Sequence, residues 1–388
     1  MLVHQAVLLC LPLIASAAVA GRWAPPDPLE VVELAAPDAS VKANFIARGA
    51  TLTNFWVKDK NGNFRDIILG FDNHTNYVTD DLGHPYFGPI VGRYANRIKN
   101  GTFSVPVSAN ITASTPNVYH TPENENNGTD TLHGGTDGFD RRTWTIANKS
   151  ESSVTFSLLD PDGMQGFPGN VYTEVVYTLE PNSTWKISIH AAADQETPIM
   201  LSGHHYWNLE AYEETQDLSG HYAQFNASRI IAGNAQLIPD GTLLNVSGTP
   251  ADFRQAKSLG EAINATVAGE YCGAGCVGFD NCWVYDNNTG TTPIFSLWSV
   301  NSGIRMDVIT DQPALQVYTC DGIYNASLPI PRKEAQGGNS TFYENHSCLV
   351  IEQESWIDAI NYPDFGIDQI YGPGRDYHWQ SSYIFSTL

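Results

Sequence analysis

TEVVYTL, residues 173–179, puts Val175, Tyr177 and Leu179 on one parity and Glu174 and Thr178 on the other. Successive side chains of a strand point to opposite faces, so the odd positions make an apolar face and the even ones a mostly wetter face. β-Branched and aromatic residues fill the run, which suits a half-buried pleated surface. Its neighbours VTFSLL (154–159) and WKISIHA (185–191) carry the same period, as does LQVYTC (315–320). Gly, Asn, Asp and Pro punctuate these runs every ten residues or so, and helical periodicity is scarce, with one short turn expected at Leu259–Ile263. Many short strands joined by polar turns predict an all-β fold, a sandwich or a barrel. There is no internal repeat, long linker or low-complexity tract, so residues 21–388 are expected to form one large β-domain.

The balance of charge narrows the partners. Acids outnumber bases by 42 to 20, a formal net charge of −22. That argues against nucleic acid and anionic membranes as partners, and against a phosphorylated substrate unless a basic pocket exists. The first twenty residues, MLVHQAVLLCLPLIASAAVA, run from an apolar Ala6–Ile14 core to small residues ending Ala18-Val19-Ala20. This is the pattern of a secretory signal peptide, and the apolar run is too short to span a bilayer. Sequons N-x-[ST] occur at Asn73, Asn100, Asn110, Asn127, Asn148, Asn182, Asn226, Asn245, Asn264, Asn287, Asn325, Asn339 and Asn345. They predict surface loops carrying N-linked glycans on a secreted, extracellular glycoprotein. Without Cys10, five cysteines remain, an odd count that leaves at least one thiol free. Cys272 and Cys276 flank Gly273-Ala274-Gly275, a loop able to close on itself. The spacings lack a second C-x₂-C pair, which argues against zinc.

Five clusters hold side chains with chemical potential. In GPIVGRYANRIKNGTF (88–103), Arg93 and Arg97 stand four apart among apolar neighbours. A buried ion pair is one reading of Arg93, a functional pocket the other. In TLHGGTDGFDRRTW (131–144), His133 precedes two glycines, either as a turn residue or projecting beside a backbone stripped of side chains. In LSGHHYWNLEAY (201–212), strand alternation puts His204 with Tyr206 on one face and His205 with Trp207 on the other, so both histidines cannot enter one pocket. In VGFDNCWVY (277–285), Asp280 sits between aromatics, where a carboxylate must be paired or face a cleft. In CLVIEQESWIDAINYPDF (348–365), Glu352 ends the apolar run Cys348–Ile351. Desolvation there raises its proton affinity, as suits a general base near neutrality. Solvated loop acids are one reading of Glu354 and Asp358; close to Glu352, an acid at 354 would instead raise the pair's proton affinity. Aromatics make up 11% of the chain, interleaved with Asn, Asp, Arg and His. Ring faces cover the C–H face of a pyranose while polar groups grip its hydroxyls, so a sugar site fits; a packed core uses the same aromatics.

Taken in chain order, these clusters resemble the aldose 1-epimerase (galactose mutarotase) family. GATLTNFWVKDKNGNFRDIILGFDN resembles its opening strands, and GRYANRIKNGTF, TLHGGTDGFDRRTW, GHHYWNL, LIPDGTLLNVSGTPADFR, GFDNCWVY, QPALQVYT, the Glu352 segment and PGRDYHWQSSYIF follow in the family's order. The likeness covers nearly all of residues 40–388. It implies a large antiparallel β-sandwich with the sugar in a cleft on one sheet. It places the family's sugar-binding pair on Asn96 and Arg97, further sugar contacts on His133, Asp280 and Gln316, the general-acid histidine on His204 and the catalytic glutamate on Glu352. Departures stand at Gly203 (usually Asn), His205 (usually Ser or Thr), Glu354 (usually Gln) and Ile357 (usually Pro).

The implied reaction interconverts the α and β anomers of a free aldohexose such as galactose or glucose. Opening a hemiacetal takes two proton transfers and calls for no metal, cofactor or redox chemistry. Glu352, ionised, would take the C1 hydroxyl proton, and His204, as imidazolium, would protonate the ring oxygen. Two other readings accompany it. The departures around His204 motivate a carbohydrate-binding protein without turnover, and Glu352 with Asp280 or Asp358 would suit a glycoside hydrolase or lyase. The preferred sugar and the oligomeric state are left open by the sequence.

Overall fold

The computed structural model describes residues 27–388; the expected signal peptide, residues 1–20, lies outside them. The stretch Val171–Glu180 is a strand in which every odd residue is buried, as its alternation requires. It lies in a nine-stranded sheet ordered Thr145–Lys149, Ser153–Asp160, Val171–Glu180, Thr184–Ala193, Tyr377–Thr387, Ile304–Thr310, Phe295–Ser299, His221–Phe225 and Lys257–Ser258. A six-stranded sheet runs Tyr206–Trp207, Leu349–Glu354, Ala314–Tyr318, Asp280–Tyr285, Ala227–Gly233 and Pro239–Asn245. Within both, neighbouring strands pair antiparallel. Helix is confined to short pieces, the longer being Leu259–Ala265, where Ser258 caps the N-terminus.

Aromatic side chains fill the space between the two sheets. Trp207 of the six-stranded sheet stacks on Tyr383 of the nine-stranded one at 5.7 Å, and Trp283 meets Phe225 edge-on at 5.5 Å. The arrangement is the expected antiparallel β-sandwich. Arg93 takes the ion-pair reading: it is buried, its Nη2 lies 2.6 Å from Asp160, and Nη1 donates to the carbonyls of Pro168 and Gly169. Disulfides join Cys272 to Cys276 and Cys320 to Cys348, leaving Cys282 as the free, buried thiol among the described residues.

The Leu349–Glu354 strand departs from the alternating pattern, because all six residues are buried. Leu349 and Ile351 enter the inter-sheet core. The even residues Val350, Glu352 and Glu354 therefore face the opposite side of the sheet, where a second layer of loops covers them.

Candidate active site

Glu352 stands in mid-strand on that outer face, not at the strand's end. Register sets Cys282, Gln316 and Glu352 side by side across three strands. The segment carrying His204 runs beside the Glu352 strand, with Ser202–Gly203 paired to Ile90–Val91 and Tyr206–Trp207 paired to Leu349–Val350 as the sheet's edge strand. Alternation then sorts the histidines as the sequence requires. His204 and Tyr206 line a cleft. His205 turns into the core, its ring 5.0 Å from that of Trp185. His204 Nε2 comes within 3.8 Å of Glu352 Oε1, and both side chains are buried. The two are close neighbours at the cleft. Ring oxygen and C1 hydroxyl share one carbon, so neighbouring groups are what a hemiacetal carbon needs.

Two of the departures explain each other. A Cβ at Gly203 would lie 2.2 Å from Cε1 of His205, whose imidazole occupies the room a side chain at 203 would take. Both changes lie on the core side of the segment, away from the cleft. Gly203→Asn should cost about 1–3 kcal/mol by overpacking, and adding His205→Ser should recover most of it in thermal melts. Equal losses in the single and double variants would contradict this pairing.

His133 projects into the cleft from a left-handed turn, with φ of +50° at His133 and +84° at Gly134. A Cβ on Gly134 would fall 2.1 Å from the carbonyl oxygen of Gly92, so glycine is required there. Asn96, also left-handed, donates its backbone N–H to His133 Nδ1 at 3.1 Å and accepts the His133 N–H at 3.0 Å. With Nδ1 accepting, Nε2 carries the ring hydrogen and serves as a donor. The ring packs edge-on against His204 at 5.1 Å and Tyr86 at 4.8 Å. His133, His204 and Glu352 converge closely enough to suggest metal ligands. A metal there would need the His133 lone pair that the Asn96 N–H already holds, so the donor set does not suit one.

Arg97 lies on the cleft wall, its Nε and Nη2 held by Glu125 at 2.8 and 3.0 Å, with Nη2 also 3.5 Å from Asp280. Asp280 lines the cleft beside it. Gln316 does not: it is buried behind Asp280 and donates its amide to that carboxylate. In the empty cleft Gln316 thus supports Asp280, and its Oε1 has no hydrogen-bond partner among the described residues. The cleft measures about 380 Å³, and Asn126, Leu237, Gly273 and Asp321 form part of its rim.

Burial governs the electrostatics. It pushes the Glu352 carboxyl up to about 8, with the neighbouring Asp280 charge adding to it. It drives the His204 imidazole down to about 3 and His133 well below its ordinary value. Both shifts favour a proton on Glu352 and a neutral His204 in the empty cleft. Glu352 Oε2 and His204 Nδ1 are buried and have no hydrogen-bond partner among the described residues. Orphaned groups of this kind cost about 1–3 kcal/mol each, a cost more often found where chemistry uses them.

Glu354 and Asp358 are not solvated loop acids. Both are fully buried, Glu354 accepting from Asn96 Nδ2 and Asp358 from Asn361 Nδ2. Asp358 does not line the cleft, which removes it as a second carboxylate for hydrolysis. Tyr86 and Glu125 line the cleft without having stood out in the sequence. Tyr86 offers one signal, a bulky residue two places before Gly88, and it adopts φ of +56°. Glu125 sits in the polar run ENENNG, which offers none.

A carboxylic acid and an imidazole on the floor of a polar, hexose-sized cleft, carried by one sheet of an antiparallel sandwich, define a protein that handles carbohydrate through acid–base groups. The chain belongs to the aldose 1-epimerase family, whose model matches residues 30–383. It is 39% identical to a probable aldose 1-epimerase of Arthroderma benhamiae, over 93% of this chain and 87% of that protein. It is 32% identical to the galactose mutarotase of Bos taurus, over 89% and 92% of the two chains. In structure it resembles an aldose epimerase homologue from C. elegans, with a TM-score of 0.78 and 28% identity over 92% of this chain and 99% of the other.

Proposed function

We propose that the protein is an aldose 1-epimerase, an isomerase that interconverts the α and β anomers of free aldohexoses such as galactose or glucose. The observation that carries this reading is the 3.8 Å approach of His204 Nε2 to Glu352 Oε1 in the cleft. The relatives named above support it. When a sugar binds, its C1 hydroxyl donates to Glu352 and its ring oxygen accepts from His204, so the pair's single proton moves to the histidine. Glu352 then takes the C1 hydroxyl proton, the C1–O5 bond breaks, and His204 delivers its proton to O5. An open-chain aldehyde forms. Rotation about C1–C2 presents the other carbonyl face, and the steps reverse. Opening returns the proton to Glu352 and leaves His204 neutral, the state of the empty cleft, so each half-reaction resets the pair for the other. His133 donates through Nε2, while Arg97, Asn96 and Asp280 hold hydroxyls.

One proton shared by the pair fixes the pH dependence. Below about 3 His204 gains a second proton. Above about 8 Glu352 loses the only one. Because kcat/KM reports the free enzyme, it should hold steady through the weakly acid and neutral range and fall about tenfold per pH unit above the Glu352 transition. Polarimetry in matched buffers checks this. A profile rising between about pH 4 and 5 and falling near 6.5, the ordinary carboxylate and imidazole values, would contradict the shared proton.

The departures at 203 and 205 gave the main motive for a binding protein without turnover, and their place on the core side withdraws it. We also read the chain as a secreted glycoprotein whose residues 21–388 form one domain. All twelve sequon asparagines whose side chains are described are exposed, and two disulfides suit an oxidising compartment. Mass spectrometry before and after endoglycosidase treatment tests it: unchanged mass on chain isolated from its natural source would contradict it.

A further inference from the structure

The mechanism above makes no use of Glu354, a fully buried acid two residues from the base. Strand geometry sets residues 352 and 354 on the same face, so two carboxyl groups share one dry layer of the sheet. No cation pairs with Glu354 among the described residues; Arg97 is spent on Glu125 and Asp280. Its partner is Asn96, whose Nδ2 lies 2.8 Å from each carboxyl oxygen. Asn96 is the same residue that grips His133 through both backbone groups from a left-handed conformation. A chain of contacts therefore runs Glu354–Asn96–His133, from the catalytic strand to the histidine that packs against His204.

We propose that Glu354 is a positioning residue: it anchors Asn96 so that His133 presents its Nε2–H to the sugar. This rests on the epimerase reading of the cleft. An uncharged carboxyl is nearly the same shape as glutamine and gives Asn96 the same acceptor, which explains how an acid is tolerated here. Once ionised, it stands beside ionised Glu352 with no counter-ion. The groups that bear on it from the packed elements are Glu352 on its own strand, Asp280 and Cys282 on the next sheet strand but one, Arg97 and Tyr94 from the 88–103 segment, and Tyr377 from the opposite sheet. Apart from Arg97, they are acids or neutral groups that only gain negative charge with pH. Burial and the Glu352 charge hold the Glu354 proton more tightly than usual, while the Asn96 N–H and the Arg97 charge oppose them.

The test is KM and kcat at pH 6 for wild type, Glu354→Gln and Glu354→Ala, read by polarimetry on freshly dissolved α-galactose. Glu354→Gln should keep KM within about twofold, since an amide oxygen accepts from Asn96. Glu354→Ala should raise KM about tenfold with kcat nearly unchanged, the equivalent of one hydrogen bond to the sugar. A Glu354→Ala variant with wild-type KM, or a Glu354→Gln variant whose KM rises as far as that of alanine, overturns the proposal. If the alanine variant does not fold, the glutamine KM still decides. Absence of catalysed mutarotation in wild type would instead overturn the epimerase reading, so the two failures are distinct.

Discussion

Glu352→Gln should lower kcat for mutarotation by about 10²–10⁴-fold, the usual contribution of one positioned acid–base group. Glutamine matches the glutamate in shape and still accepts a hydrogen bond, but it cannot take the C1 hydroxyl proton. The strand pairings at Gln316 and on either side of 352 are made by backbone and stay intact. In the empty protein the acid is already neutral because of its burial, so exchanging it for a neutral amide leaves stability nearly unchanged. KM should move little, because the interaction removed is made mainly in the transition state. Polarimetry with a urea melt on the same preparation separates chemistry from folding. A variant that folds normally and turns over at the wild-type rate would remove Glu352 as the base.

His204→Gln should cause a loss of the same size, about 10²–10⁴-fold in kcat. Its amide nitrogen can approach the ring oxygen but cannot exchange a proton with it. Since the two side chains pass one proton between them, their effects should not multiply: the double variant Glu352→Gln, His204→Gln should fall little below the worse single one. The adjacent His205 is the internal control. Its ring lies in the core against Trp185 and Trp207, so His205→Gln should lower thermal stability while leaving kcat close to wild type. Activity lost at 205 and kept at 204 would reverse the assignment of the two faces.

The fold was legible where one face of a strand meets the core and the other meets water. In Val171–Glu180 the alternation of side chains matches their alternate burial along the strand. The same period separated His204 from His205 before any coordinates, because parity in a strand admits no compromise. Burial on both faces erased that signal at Leu349–Glu354, where loops cover the outer side and Glu354 looks like a surface acid in sequence alone. The resting protonation of the pair depends on burial of both groups at once, because ordinary pKa values carry over only to groups that keep their water. Tyr86 and Glu125 reach the cleft through loop geometry, which no local periodicity records.

The central claim is that this cleft opens and recloses a free sugar ring by passing one proton between Glu352 and His204. Exchange NMR between the α and β anomeric protons of galactose at equilibrium measures it directly. The account predicts an exchange rate that rises in proportion to wild-type protein at pH 6 and returns to the spontaneous rate with Glu352→Gln. Saturable galactose binding with no rise in anomer exchange would contradict it.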